Sequence, residues 1–169
     1  MPLTVQPWVK APIVVDILRD MADRIRVLHK GIVVPTGEKL FVLRPPGGQR
    51  SLLNQSEIRA WLEARNYITV TPAEMTCAEQ IVAFSAAEYV VGTIGAELTN
   101  IVFANNGIRL LGMTPYETQD DFFLDLVSHL HGKYFSLHGI AEEPEKHWNS
   151  AFTIPLADFD RFLGKFEAC

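Results

Sequence analysis

Apolar residues along this chain change period repeatedly, and the changes divide it into alternating helix-like and strand-like segments. Residues 16–28 set Ile17, Leu18, Met21, Ile25 and Leu28 at helical spacing, which predicts an amphipathic helix. Pro35-Thr36-Gly37 separates it from residues 39–43, a short apolar run suited to a buried strand. Residues 44–50, Arg-Pro-Pro-Gly-Gly-Gln-Arg, predict a loop. Residues 54–65 place Ile58, Trp61 and Leu62 on one side of a helix, with Asn54 and Glu57 spaced as a capping box. A β-branched run, 67–70, is closed by Thr71-Pro72. Residues 76–87 open with Thr76 and Glu79 in capping positions and predict a helix. Residues 89–91 predict a strand ending at Gly92, and another helix should begin near Glu97 or Leu98. Strands over 108–111 and 134–137 flank a helix over 121–130, and a closing helix spans 159–166. The polar, proline-containing residues 141–150 predict an exposed loop.

Strands alternating with helices imply right-handed crossovers and a parallel sheet covered on both faces, an α/β fold of three layers. The length, 169 residues, and a hydrophobic share of 48% suit one globular domain. No stretch reaches the roughly 20 uncharged apolar residues of a membrane helix. The richest, 81–104, is interrupted by Glu88, Glu97 and Asn100. Residues 1–12 lack a basic segment followed by an apolar core, so a cytoplasmic location is expected. Cys77 and Cys169 make no disulfide framework and are expected as free thiols, with Cys77 partly buried.

Net charge is -5, which argues against a nucleic-acid partner that needs a broad basic face. The distribution is uneven: residues 1–65 carry ten Lys and Arg against six Asp and Glu, and residues 66–169 carry five against fourteen. Cations for an anionic ligand must therefore come mainly from the first third. In an open α/β sheet, ligands bind beyond the carboxyl ends of the strands where the strand order reverses. Those ends are Arg44, Thr71, Gly92 to Gly95 and Met113. The turn Gly92-Thr-Ile-Gly95-Ala96-Glu-Leu-Thr99-Asn100 has small residues for close backbone approach, and free N–H groups at a helix start attract phosphate. It matches neither the dinucleotide nor the P-loop signature, and a tight packing turn has the same composition. Arg44 and Arg50 bracket the Pro/Gly loop and can grip phosphate oxygens in pairs, or form surface ion pairs. Lys39 and Arg59 are expected as solvated charges, and Glu57 and Glu79 as helix caps. His129-x-His131 places its rings on different sides of a helix, which is poor metal geometry. Phe122, Phe123, Phe159 and Phe162 are expected in the core.

Several strings occur in a fixed order: Lys39-Leu-Phe-Val-Leu-Arg44, then Arg50, Asn54 and Glu57, then Pro72-Ala-Glu74, then Glu79-Gln80 with Phe84, then 91–100 with Phe103. This order, from about Lys39 to Met113, resembles glycosyltransferase family 61, whose bacterial members are often capsular polysaccharide biosynthesis proteins. Phe152-Thr-Ile-Pro155 with residues 158–163 is similar to their tails. The resemblance implies a GT-B architecture of two Rossmann-like halves, inverting transfer, no essential metal and no other cofactor. This chain resembles the C-terminal, donor-binding half. Residues 1–38 would form a helix and linker, and 39–169 the Rossmann-like domain. The implied partner is a nucleoside diphosphate sugar, with an acceptor domain on another chain or a homodimer. By position, Arg44 and Arg50 would face the donor phosphates, and the turn carrying Gly95, Ala96, Thr99 and Asn100 would cradle the diphosphate. Asn54, Glu79 and Gln80 would shape the nucleotide pocket. Ile94 stands where many members have His, and Glu97 where they have a small residue. The residues ahead of the resembling region are too few for an acceptor half.

Overall fold

A computed structural model describes residues 10–28, 30–45, 47–115 and 121–168. Pro46 of the predicted loop and Cys169 lie outside the described residues. Helix α1 (Pro12–Leu28) precedes strand β1 (Lys39–Val42), then α2 (Gln55–Glu63) and β2 (Ile68–Val70). Helix α3 (Cys77–Phe84) leads to β3 (Tyr89–Thr93), a 3-10 helix over Ala96–Phe103 leads to β4 (Arg109–Thr114), and α4 (Phe122–His129) leads to β5 (Lys133–His138). A small antiparallel pair, β6 (Ile140–Ala141) and β7 (Phe152–Thr153), comes before α5 (Leu156–Ala168).

The five main strands form one parallel sheet in the order β2-β1-β3-β4-β5. Alternate residues face two separate cores. Leu40, Val42, Val90 and Leu110 pack with α1, α3, α4 and the 3-10 helix. Phe41, Val91, Leu111 and Met113 pack with Ile58 and Leu62 of α2 and Phe159, Leu163 and Phe166 of α5. A sheet buried on both faces explains why its strands read as continuous apolar runs. The arrangement is a Rossmann-like three-layer α/β fold. All four predicted phenylalanines pack in these cores.

Differences from the sequence reading are local. The predicted apolar stripe of α1 faces outward, and the buried residues are Val15 and Ala22. Small Ala22 allows close approach. Beside it Arg19 donates to the carbonyls of Val102 and Ala104, and Arg26 donates to that of Phe103, meeting the negative end of the 3-10 helix. At Asn54 the predicted capping box does not form: its amide donates to Glu57 and to the Ile154 carbonyl instead of accepting from its own helix. The Thr76 and Glu79 box does form, and it is reciprocal. Lys39 is paired with Glu167 at 2.7 Å rather than solvated. Cys77 is exposed, because it opens α3 on the solvent side. The expected loop 141–150 contains the end of β6 and a 3-10 turn, Pro144–Asn149. Among the described residues no helix is long and apolar enough to cross a membrane.

Candidate functional site

Strand β1 is flanked by β2 on one side and β3 on the other, and the chain's crossovers diverge there. The carboxyl ends of β1 and β3 therefore mark the switch point, where a crevice forms outside the sheet. Arg44 follows β1 by two residues and Gly95 follows β3 by two. Arg44 Nη1 donates to the Ile94 carbonyl at 3.3 Å, and its Nε lies 3.5 Å from Glu97 Oε2. A Cβ on Gly95 would stand only 3.0 Å from both Arg44 Nη1 and Glu97 Oε2, so a side chain there would press on the ends of both partners of this ion pair. Glu97 Oε2 is buried and accepts no hydrogen bond within the described residues.

Arg44 and Arg50 line one cleft of ≈ 180 Å³, together with Gln49, Ser51, Leu53 and Gln55. Arg50 sits at φ 59, in the left-handed region that costs a side-chain-bearing residue about 1 kcal/mol or more. Its guanidinium stacks on Trp148, 4.2 Å from the ring centroid, and its N–H bonds the Asn149 carbonyl at 3.4 Å. His147, next to that ring, also has positive φ, at 47. Gln55 donates to the Arg44 carbonyl at 3.2 Å and fixes the cleft's inner wall. A larger cleft of ≈ 700 Å³ adjoins across Gly47 and Gln49, and carries Glu143, Glu145 and Lys146.

The remaining predicted site residues are drawn into internal bonds. Asn54 bridges both polar groups of Ile154, donating to its carbonyl at 2.8 Å and accepting from its N–H at 3.3 Å. Glu79 accepts from the Thr76 N–H and hydroxyl, and these bonds hold its carboxyl below the usual glutamate range. Gln80 donates to the carbonyls of Pro72 and Met75. The segment after Gly95 is a 3-10 helix rather than an α-helix. Its Leu98 N–H bonds Gly95, the Thr99 hydroxyl donates to Ala96, and the Asn100 amide donates to Glu97. Such local side-chain bonds compete with regular helical pairing. Arg44 thus touches both the cleft and this turn, while Gly95, Ala96, Thr99 and Asn100 stand outside the cleft's lining.

Ile94 is 4% exposed and packs over Gly112 of β4, in the first core. Its side chain belongs to the interior rather than the crevice. Sequence reasoning missed Trp148 and Gln55. Trp148 lies about a hundred residues from its arginine with no spacing signal, whereas Gln55 adjoins a residue already singled out.

The family model described as Glycosyltransferase 61 matches residues 2–111. Helix α1 thus lies inside the matched region rather than ahead of it, and residues 152–163 lie beyond its end. No curated protein matches the chain.

Proposed function

Because the chain belongs to glycosyltransferase family 61, we propose that it forms the donor-binding part of an inverting, metal-independent transferase of polysaccharide biosynthesis, like the C-terminal half of a GT-B enzyme. The observation that carries this reading is the meeting of Arg44 and Arg50 on one cleft beside the switch point. Sugar transfer breaks the bond between the anomeric carbon and a diphosphate oxygen, so negative charge grows on the leaving group. Two permanently charged guanidiniums facing that group stabilise it most when the charge is largest. Arg50 is held by Trp148 and Arg44 by the Ile94 carbonyl, so little reorganisation is needed when the diphosphate arrives. Glu97 Oε2, buried without a donor, accepts a hydroxyl of the transferred sugar. The base for the acceptor hydroxyl comes from an acceptor domain or a partner chain.

Two observations favour a second reading, a non-catalytic module that binds a nucleotide or nucleotide-sugar. Ile94 is committed to the core, and Arg44 is already balanced by Glu97. Titration calorimetry with uridine, guanosine and cytidine diphosphates tests binding. Heat with one base supports either reading, and silence across all three leaves a scaffold of the same fold. Donor hydrolysis by this chain separates transferase from module, since turnover contradicts the non-catalytic reading.

A further inference from the structure

The 3-10 helix over Ala96–Phe103 runs for 8 residues, past the roughly three or four at which that winding usually ends. Ala96, Glu97 and Leu98 are good α-helix formers, so local preference does not select it. The carbonyls at its end do. A 3-10 helix bonds each N–H three residues back and leaves three carbonyls free, whereas an α-helix bonds four back and leaves four. Here the Ala104 N–H donates to the Ile101 carbonyl, which frees those of Val102, Phe103 and Ala104. Arg19 donates to the first and third, and Arg26 to the second. Asp23 pairs with Arg26 at 2.6 Å and keeps it aimed. In an α-helix the Ala104 N–H would turn to Asn100 and orphan the carbonyl of Ile101, a residue with no exposed surface. The guanidinium bonds match the 3-10 count and fall one short of the α count.

We infer that Arg19 and Arg26 are positioning residues: from α1 they select the 3-10 winding of residues 96–103, and that winding sets Glu97 against Arg44. The Asn105 N–H is tied to the Ala87 carbonyl, so the far end of the segment is held to the body of the protein. Each residue turns about 120° in a 3-10 helix and about 100° in an α-helix. Counted back from Phe103, a change to α winding carries Glu97 about a third of a turn around the axis and away from Arg44 Nε, now 3.5 Å from its carboxylate. The two arginines touch only main chain at the end of the segment, yet they decide how the other end meets the cleft. That this tunes diphosphate binding rests on the transferase reading; the winding itself does not.

Nuclear Overhauser contacts in the full chain without ligand test it. Contacts from a Cα proton to the amide proton two residues on mark a 3-10 helix, and contacts four residues on mark an α-helix. Wild type is expected to show the first pattern over 96–103, and Arg19→Ala combined with Arg26→Ala the second. Arg26→Ala alone keeps both Arg19 bonds, and Val15 and Ala22 still seat α1, so it is expected to stay folded with a mixture of the two patterns. In calorimetry with uridine, guanosine and cytidine diphosphates, the combined change is expected to tighten binding about threefold, and to leave it unaltered where Glu97→Gln is already present. An α pattern in wild type, a 3-10 pattern that outlasts both arginines, an Arg26→Ala chain that does not fold, or equal tightening on the Glu97→Gln background overturns the inference. Silence toward all three diphosphates, with the winding still dependent on the arginines, sinks the donor-binding reading and leaves their hold on the winding standing.

Discussion

Arg44 Nε stands 3.5 Å from Glu97 Oε2, and both side chains are about one-fifth exposed. The contact joins the end of β1 to the turn after β3, across the point where strand order reverses. On the proposed donor-binding reading, an arriving diphosphate and Glu97 compete for one guanidinium. Coulomb attraction at this depth is screened only in part, so the competition is felt in affinity.

Glu97→Gln removes the competing charge and keeps the shape. Nucleoside diphosphate binding is expected to tighten about three- to tenfold by calorimetry, a gain of roughly 1 kcal/mol. Arg44→Ala is expected to weaken the same binding by about 1 to 3 kcal/mol, the scale of one lost charge-assisted bond. Equal affinities for all three proteins would remove Arg44 from the site.

Arg50 separates folding from binding, because its left-handed backbone suits glycine. Arg50→Gly is expected to unfold at a higher denaturant midpoint than Arg50→Ala, by about 0.5 to 1 kcal/mol. Both variants lose the guanidinium, so both are expected to bind nucleoside diphosphate more weakly than wild type.

Gly112 lies directly under Ile94, and a methyl group there would run into Ile94 Cδ1. Gly112→Ala is expected to cost about 1 to 3 kcal/mol in chemical denaturation. Adding Ile94→Val deletes the offending atom and recovers part of the loss, so the two changes are non-additive. Additive losses would show that Ile94 has room to move.

Hydrogen bonds from the Thr76 side chain and backbone hold the Glu79 carboxyl below its ordinary range. A carboxyl depressed by folding stabilises the protein above its unfolded value of about 4.3, and that contribution disappears as pH falls through the lower folded value. Glu79→Gln should therefore lower Tm near neutral pH, with the difference from wild type shrinking in acid. A gap that stays constant through the carboxylate range contradicts the assignment.

Most of the sheet was legible because both faces are buried, so strands such as β3 and β4 show as uninterrupted apolar runs bounded by glycine or polar residues. The face of α1 was not, since a periodicity reports an apolar stripe without saying what it meets. Here two arginines, not the stripe, dock the helix. Arg44 and Arg50 lie just past β1 and on the following loop as expected, because the Pro/Gly run between them marks that loop in the sequence. The bonds that occupy Asn54 and Gln80 were hidden. Their partners, Ile154 and Pro72, offer only main-chain groups, and a sequence gives no sign of a particular carbonyl's position.

Three stitches join the arginine loop to the segment beyond β5: Arg50 to Asn149, Leu52 beside Phe152, and Asn54 to Ile154. All three anchors lie past residue 111, where the family match stops. A chain trimmed after β5 would keep every strand of the main sheet yet release the loop that aims Arg50. The least recognisable stretch of this protein thus sets the aim of one of its two most telling side chains.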